Sequence, residues 1–485
     1  MNLMGLQGGQ YKPLSQAQVE TIHNAALQIL EKTGITYEAG LEDTVDMLES
    51  RGAVVDRDAQ RICFSPKMIQ EAVELAPEQV ILYGRESKHD LNLTEDRVHM
   101  GTGGGTIKIL DPESGEVRAT TLQDLYDVSR LVDQLDNIHF LVRPCIPTDI
   151  EKKDYDINMF YACMKGSSKH VMSGVNDEAG LHRVMDMAGM IAGSRDAFLE
   201  RPFISVITSF AISPLKLCTQ STLIMQEAAR NRIPVALSSA PMAGSTSPMT
   251  MAGTLAQLHA EELAGVAICQ FTQPGSPLLY GGIPGMANMA TMGYCGGAVE
   301  CGMMNAAIHQ LSSRINIPNY NSASLSDAKL PDAQAGYEKA FTLLLAGMGG
   351  SNYIHHAAGM LESMLAVAHE QFVIDDEIIG NACKVLKGIE VDEEHLALEV
   401  IDAVGPGGNF MTSPHTMKHI RTEYYNSNGV TDRKSRGKWE AEGSQDIRER
   451  ALGIARTLLA QPRCHISEGA DQAIREKYNI LLQGA

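Results

Sequence analysis

Apolar residues at three- and four-residue spacing open the chain: Val19, Ile22, Ala26, Ile29 and Leu30 mark one helix face. Ser15 stands before them as an N-cap and Gly34 after them as a helix stop. A second helix is predicted from Pro66, followed by the apolar run Val80–Gly84, so residues 1–95 read as an N-terminal helical extension. From about residue 97 the period changes to short apolar runs separated by helix-length segments, the mark of βα units around a parallel sheet. The runs are 98–104, 139–147, 170–175, 203–210, 234–240, 277–282, 317–323 and 352–359, and helix-compatible stretches such as 122–135, 215–230, 251–269 and 337–348 lie between them. Eight such units match a (β/α)₈ TIM barrel, usually about 250 residues long, better than a doubly wound sheet. Asp111–Gly115 reads as a hairpin turn, which leaves open that the first run belongs to a separate ribbon. Past residue 375 the runs stop, and 390–404 and 444–459 are the clearest helical stretches. The expected organisation is therefore a helical extension over 1–95, a barrel over 96–372 and a C-terminal helical region over 373–485.

Composition changes little in this picture. With 44% hydrophobic and 20% charged residues, the 485-residue chain can fill a large apolar core. A formal charge of -19 opposes contact with phosphate backbones and anionic lipid, which argues against nucleic acid or membrane partners. The same field favours a cationic small molecule in a cleft, although plain solubility explains it equally well. Met1–Tyr11 lacks the basic and apolar regions of a secretion signal, and no run of about 18 apolar residues occurs, so a cytoplasmic protein is expected. Nine cysteines without a C-x-x-C pair fit a reducing compartment, and no metal site is expected from them.

Barrel enzymes place reactive groups at the C-terminal ends of their strands. Here those ends carry Gly103, Gly104 and Gly105, then Arg143, Ser173, Ser209, Ser238 and Ser239, then Gly281 and Gly282, then Asn321 and Ser322, and finally His355 and His356. Any one of them alone reads as a structural residue. Together they predict a polar pocket at the barrel mouth. The glycine run lacks the Lys-Ser/Thr of a phosphate loop, so the absent side chains are read as room for a large flat partner or for another stretch of backbone. His355 and His356 could ligate zinc with Glu362, but neighbours on a strand point to opposite faces, which leaves one histidine facing the pocket. Tyr280, Tyr294, Tyr320 and Tyr353 sit near the same ends and would form an aromatic cage for an alkylammonium ion, with Asp327 or Glu338 as an acidic supplement.

Tyr280-Gly-Gly-Ile-Pro284, Asn321-Ser-Ala-Ser-Leu-Ser-Asp-Ala-Lys329, Asp332-Ala-Gln-Ala-Gly-Tyr-Glu-Lys339, Ala357-Ala-Gly-Met-Leu-Glu362 and Leu110-Asp-Pro-Glu-Ser-Gly115 together carry a resemblance. By these stretches the chain resembles the trimethylamine methyltransferase (MttB) family over nearly its whole length. The resemblance implies a (β/α)₈ barrel that methylates a cognate corrinoid protein. The founding branch carries pyrrolysine, whereas this sequence has only standard residues, so the likeness is to the non-pyrrolysine branch, which demethylates glycine betaine, proline betaine, carnitine and related quaternary amines. A quaternary nitrogen can leave as a neutral tertiary amine when Co(I) attacks its methyl group, with no proton donor. On this implication Asp327, His355 and His356 are the catalytic candidates, and Tyr320, Asn321, Arg143, Tyr280 and Tyr353 the substrate-binding ones. Arg143 or Asn321 would take a substrate carboxylate. Gly103, Gly104, Gly105, Gly281 and Gly282 would lie near a corrinoid supplied by the partner protein, with no cofactor tightly bound and no metal. Self-association into a homo-oligomer is also expected. Two alternatives stay open: a zinc-dependent methyltransferase or lyase built on His355 or His356 with Glu362, and a non-catalytic quaternary-amine binding protein.

Overall fold

The computed structural model describes residues 5–425 and 429–483. Eight parallel strands form its centre: β1 (Arg97–Thr102), β2 (Leu141–Val142), β3 (Val171–Ser173), β4 (Ile204–Thr208), β5 (Val235–Leu237), β6 (Leu278–Gly281), β7 (Asn319–Ser322) and β8 (Tyr353–Ala358). Each pairs with its neighbour in chain order, β8 pairs with β1, and the bridge Gly101↔Phe140 joins β1 to β2. The sheet is therefore a closed (β/α)₈ barrel, and all eight expected runs are its strands. The outer ring is α1 (Leu122–Asp133), α2 (Tyr155–Gly166), α3 (Glu178–Ala192), α4 (Thr219–Arg230), α5 (Met251–Thr272), α6 (Val299–Arg314), α7 (Ala333–Gly349) and α8 (His369–Lys387). Local signals start several of these: Thr121 and Asp124 form a reciprocal capping box on α1, and Asp177 and Asp332 cap α3 and α7. Helix α8 runs through residue 372, where the sequence had suggested the barrel would end.

The hairpin expected at Asp111–Gly115 exists, and it does not displace β1 from the barrel. Lys108–Leu110 and Val117–Ala119 pair antiparallel in the loop after β1, and the first of them pairs with Ala366–Ala368 from the loop after β8. A ribbon thus ties the first and last strand exits together over the mouth.

The first ninety residues carry the expected helices and, between them, short strands that the sequence pattern does not predict. The helix Gln16–Gln28 begins at Ser15 as its spacing predicts. Ile35–Tyr37, Val54–Asp56 and Arg61–Cys63 are strands, in one sheet with two short strands from the loop after β4. Three-residue strands are too short for alternation to show in a sequence window. A second hairpin, Val80–Leu82 with Leu91–Leu93, matters more. Its side chains join Phe140, Val142, Met172, Ala236, Leu279, Tyr320 and Tyr353 in one cluster, so it plugs the N-terminal end of the barrel. The interior is then a packed apolar column whose free end is the C-terminal mouth. Phe140 lies flat on Tyr353 at 3.6 Å between ring centroids, and a Cβ on Gly101 would overlap the Phe140 ring. Only glycine fits there.

Outside the barrel, Lys339 and Asp375 form an ion pair at 3.0 Å with no exposure on either side chain. The ammonium also donates to the Ser324 carbonyl at 2.8 Å, and the carboxylate accepts from the Gly359 N–H at 2.7 Å and from Gln371 at 2.8 Å. The pair clamps the exits of β7 and β8. Removing one partner of such a pair leaves a buried charge unmatched, and Lys339→Met is expected to cost about 3–5 kcal/mol in urea unfolding. The double variant Lys339→Met/Asp375→Leu is expected to recover most of that loss.

Candidate active site

At the mouth lies a cavity of about 250 Å³, lined by Gly104, Val142, Arg143, Ser173, Gly174, Ile207, Ser209, Ser238, Ile283, His355, His356 and Met364. Its polar side comes from strand ends, as expected. Its apolar side was missed, although Val142 and Ile207 share the inward parity of Phe140 and Ser209. Met364 gave no signal, because it lies in a loop where Glu362, Ser363 and Met364 all have positive φ.

Both histidines reach this cavity, contrary to the expectation of one. His356 has φ 64°, which breaks the strand alternation, and the β8 register shifts between Ile354 and Ala358. The two imidazoles stack at 3.7 Å with 19° between planes. Room for this exists because Gly103 has no side chain; a Cβ there would overlap the His356 ring. The His355 Nε2 accepts from the Gly104 N–H at 3.2 Å, so its proton sits on Nδ1, which lies 2.9 Å from the Tyr320 hydroxyl. Tyr320 is left to donate toward Ser238 Oγ at 3.4 Å. His356 Nδ1 lies 2.8 Å from Ser322 Oγ, and its buried Nε2 has no partner. Burial, then the neighbouring His356 and Arg143, hold the His355 pKa well below the usual imidazole range. Burial pushes His356 down to about 3. Two neutral imidazoles therefore face the cavity.

Arg143 supplies the only charged side chain among the lining residues, none of which is a carboxylate. Its Nη1 donates to the Tyr155 hydroxyl at 3.4 Å, while its buried Nε has no partner. Ser173 Oγ is likewise buried and unpartnered. Such groups are costly unless a ligand or water satisfies them.

The other candidates fall elsewhere. Tyr320 and Tyr353 belong to the floor beneath the cavity, with the Tyr353 hydroxyl buried and unpartnered. Tyr280 faces away from the interior: its hydroxyl lies 2.7 Å from His259 Nδ1 on α5, and His259 Nε2 lies 2.9 Å from His23. Asn321 also faces outward, donating to the Asn305 carbonyl at 3.0 Å and to Ser351. Asp327 holds loops, accepting from the Gly296 N–H at 3.0 Å and from Ser363. The expected tyrosine cage is therefore not what lines the cavity. Gly281 and Gly282 serve close packing, since a Cβ would overlap the Tyr320 carbonyl at the first and crowd the Ser239 carbonyl at the second. Gly105, at φ +117°, opens onto free space. Glu362 does not line the cavity, so the zinc alternative lacks its third donor.

A family model for trimethylamine methyltransferase (MTTB) matches residues 4–478. The chain belongs to this family. It is 33% identical to the trimethylamine methyltransferase MttB of Desulfitobacterium hafniense (strain DSM 10664 / DCB-2), over 92% of this chain and 88% of that one. It is 31% identical to the glycine betaine methyltransferase of Desulfitobacterium hafniense (strain Y51), over 99% of this chain and 98% of that one. Among solved structures, the Methanosarcina barkeri monomethylamine methyltransferase shares the fold, with a TM-score of 0.51 and 13% identity over 94% of this chain and 95% of that one. As a family member composed of standard residues, the chain stands with the non-pyrrolysine branch. Among the described residues, no helix is long and apolar enough to cross a membrane.

Buried neutral histidines make stability depend on pH. The unfolded chain protonates histidine below 6.5, whereas His356 in the folded chain resists down to about 3, so stability is lost as pH falls through that window. The loss is up to ~1.4 kcal/mol per pH unit for each such group. His356→Gln is expected to make the decline between pH 6.5 and 5 shallower by about one proton's slope, measured from urea midpoints.

Proposed function

We propose that this chain moves a methyl group from a small quaternary amine bearing a carboxylate to the Co(I) corrinoid of a separate protein. The observation that carries the reading is the cavity's charge pattern: one arginine, two neutral imidazoles and no carboxylate. A bare alkylammonium ion would meet only the positive charge of Arg143 there. A betaine brings its own anion, which Arg143 can hold with charge-assisted hydrogen bonds while the methyl groups rest against Val142, Ile207, Ile283 and Met364. The volume of about 250 Å³ suits a ligand smaller than a drug-sized molecule.

The corrinoid is a substrate in this scheme, and the open space at Gly105 leaves room for a flat group beside the mouth. In the reaction the acceptor's electron pair forms a bond to the methyl carbon as the C–N pair returns to nitrogen. The leaving group is a neutral tertiary amine, so no proton has to be delivered. Neutral His355 and His356 suit that requirement, since neither holds an acidic proton to give. Their role is positioning: His355 is fixed by Gly104 and Tyr320, and His356 by Ser322.

Incubation with a Co(I)-corrinoid protein and a panel of amines tests the reading through the absorbance change as cobalt is alkylated. Carboxylated quaternary amines are expected to react, and silence across all of them would overturn it. Arg143→Gln is expected to raise KM for a carboxylated amine about 10–100-fold, in line with the ~1.5–3 kcal/mol of a hydrogen bond to a charged group. KM for tetramethylammonium, if it reacts, should not rise.

A further inference from the structure

The segment 389–424, which follows α8, is held together by polar contacts rather than by an apolar core. Its helices Glu393–Leu396, Leu398–Val404 and Pro414–His419 are four to seven residues long and contain no buried residue. Helices this short do not persist in water without an outside constraint. What joins the first to the third is a knot of polar side chains. Glu394 accepts from Lys418 and lies 3.0 Å from His419 Nε2, and His415 Nε2 lies 3.1 Å from the Glu394 carbonyl. The His395 and His419 rings are 5.1 Å apart and those of His415 and His419 4.4 Å.

Three ligand-type atoms converge within this knot. One nitrogen each of His395 and His419 and one carboxylate oxygen of Glu423 lie within 4.8 Å of one another. Ligands of a single zinc, at about 2.0–2.1 Å from the metal, stand somewhat over 3 Å apart, so a small side-chain adjustment closes the set. His395 Nδ1 lies 2.7 Å from Asp392, which leaves Nε2 on the side of Glu423, 3.9 Å away, and of Glu390, 3.7 Å away. A carboxylate on the far nitrogen is the arrangement that orients a metal-ligating imidazole. His415 and His419 lie four residues apart on the helix Pro414–His419, and Glu423 follows in the turn after it, where its N–H donates to the His419 carbonyl at 2.9 Å.

We propose that His395, His419 and Glu423 form a divalent transition-metal site of the zinc class that staples these short helices together. Borderline-soft imidazole and carboxylate donors select zinc over magnesium or calcium. The site is separate from the barrel cavity and takes no part in methyl transfer. It also means that metal content alone would not distinguish a zinc-dependent barrel from this chain.

The test adds Zn²⁺, and separately Co²⁺, to the metal-stripped full-length protein. One equivalent is expected to bind, with the visible absorption of four-coordinate Co²⁺ and slower proteolysis within 389–424. His419→Ala and Glu423→Gln should abolish or weaken binding at least tenfold, while His355→Gln retains it. Methylation of a corrinoid protein by the His419→Ala variant should proceed. No tight Zn²⁺ binding to the wild-type chain, or binding unaffected by His419→Ala, overturns the proposal and identifies the knot as an ion-pair network only. Because the readout is metal binding, the result is independent of whether the methyl donor has been named correctly.

Discussion

A barrel of eight parallel strands has two ends, and here the apolar hairpin at residues 80–93 closes one of them. The column of Phe140, Tyr353, Tyr320 and their neighbours fills the space above it, so chemistry is confined to the shallow volume left at the other end. That volume is small, about 250 Å³. Its walls are strand ends, its floor is a stacked pair of aromatic rings, and its rim is tied by the ribbon joining the exits of β1 and β8. Catalysis in such a place rests on holding and aiming a ligand rather than on moving parts.

Within that space the backbone of His356 decides what the ligand meets. A regular strand would send His355 inward and His356 outward. The left-handed turn at His356 costs local strain, of order 1–3 kcal/mol for such a residue, and the structure retains it through Ser322 and the absent side chain of Gly103. The outcome is a paired imidazole wall, buried enough to be neutral, in a cavity that also holds a single arginine.

The sequence carried the barrel clearly, because each strand is an apolar run flanked by helix-length segments, and periodicity survives without any tertiary knowledge. It carried the mouth only in part. Glycines, serines and histidines at strand ends were recognisable by position, but whether a side chain faces inward depends on register. Tyr280 and Asn321 were lost for that reason, since each lies on the outer face and is held by a neighbouring helix. Asp327 was misleading because a loop carboxylate beside serines and glycines looks equally fit for ligand or for loop. The N-terminal strands were hidden by their length, and Met364 by a loop whose conformation no pattern announces.

In the proposed reaction a carboxylated amine lies with its anion at Arg143 and an N-methyl group toward the open mouth. A crystal structure of the protein with glycine betaine at saturating concentration tests this directly. The account predicts density in the cavity beside His356, carboxylate on the guanidinium and the trimethylammonium group facing outward against Met364 and Ile283. An empty cavity at saturating ligand, or a betaine bound with its carboxylate at the mouth and its methyl groups turned to the floor, would contradict it.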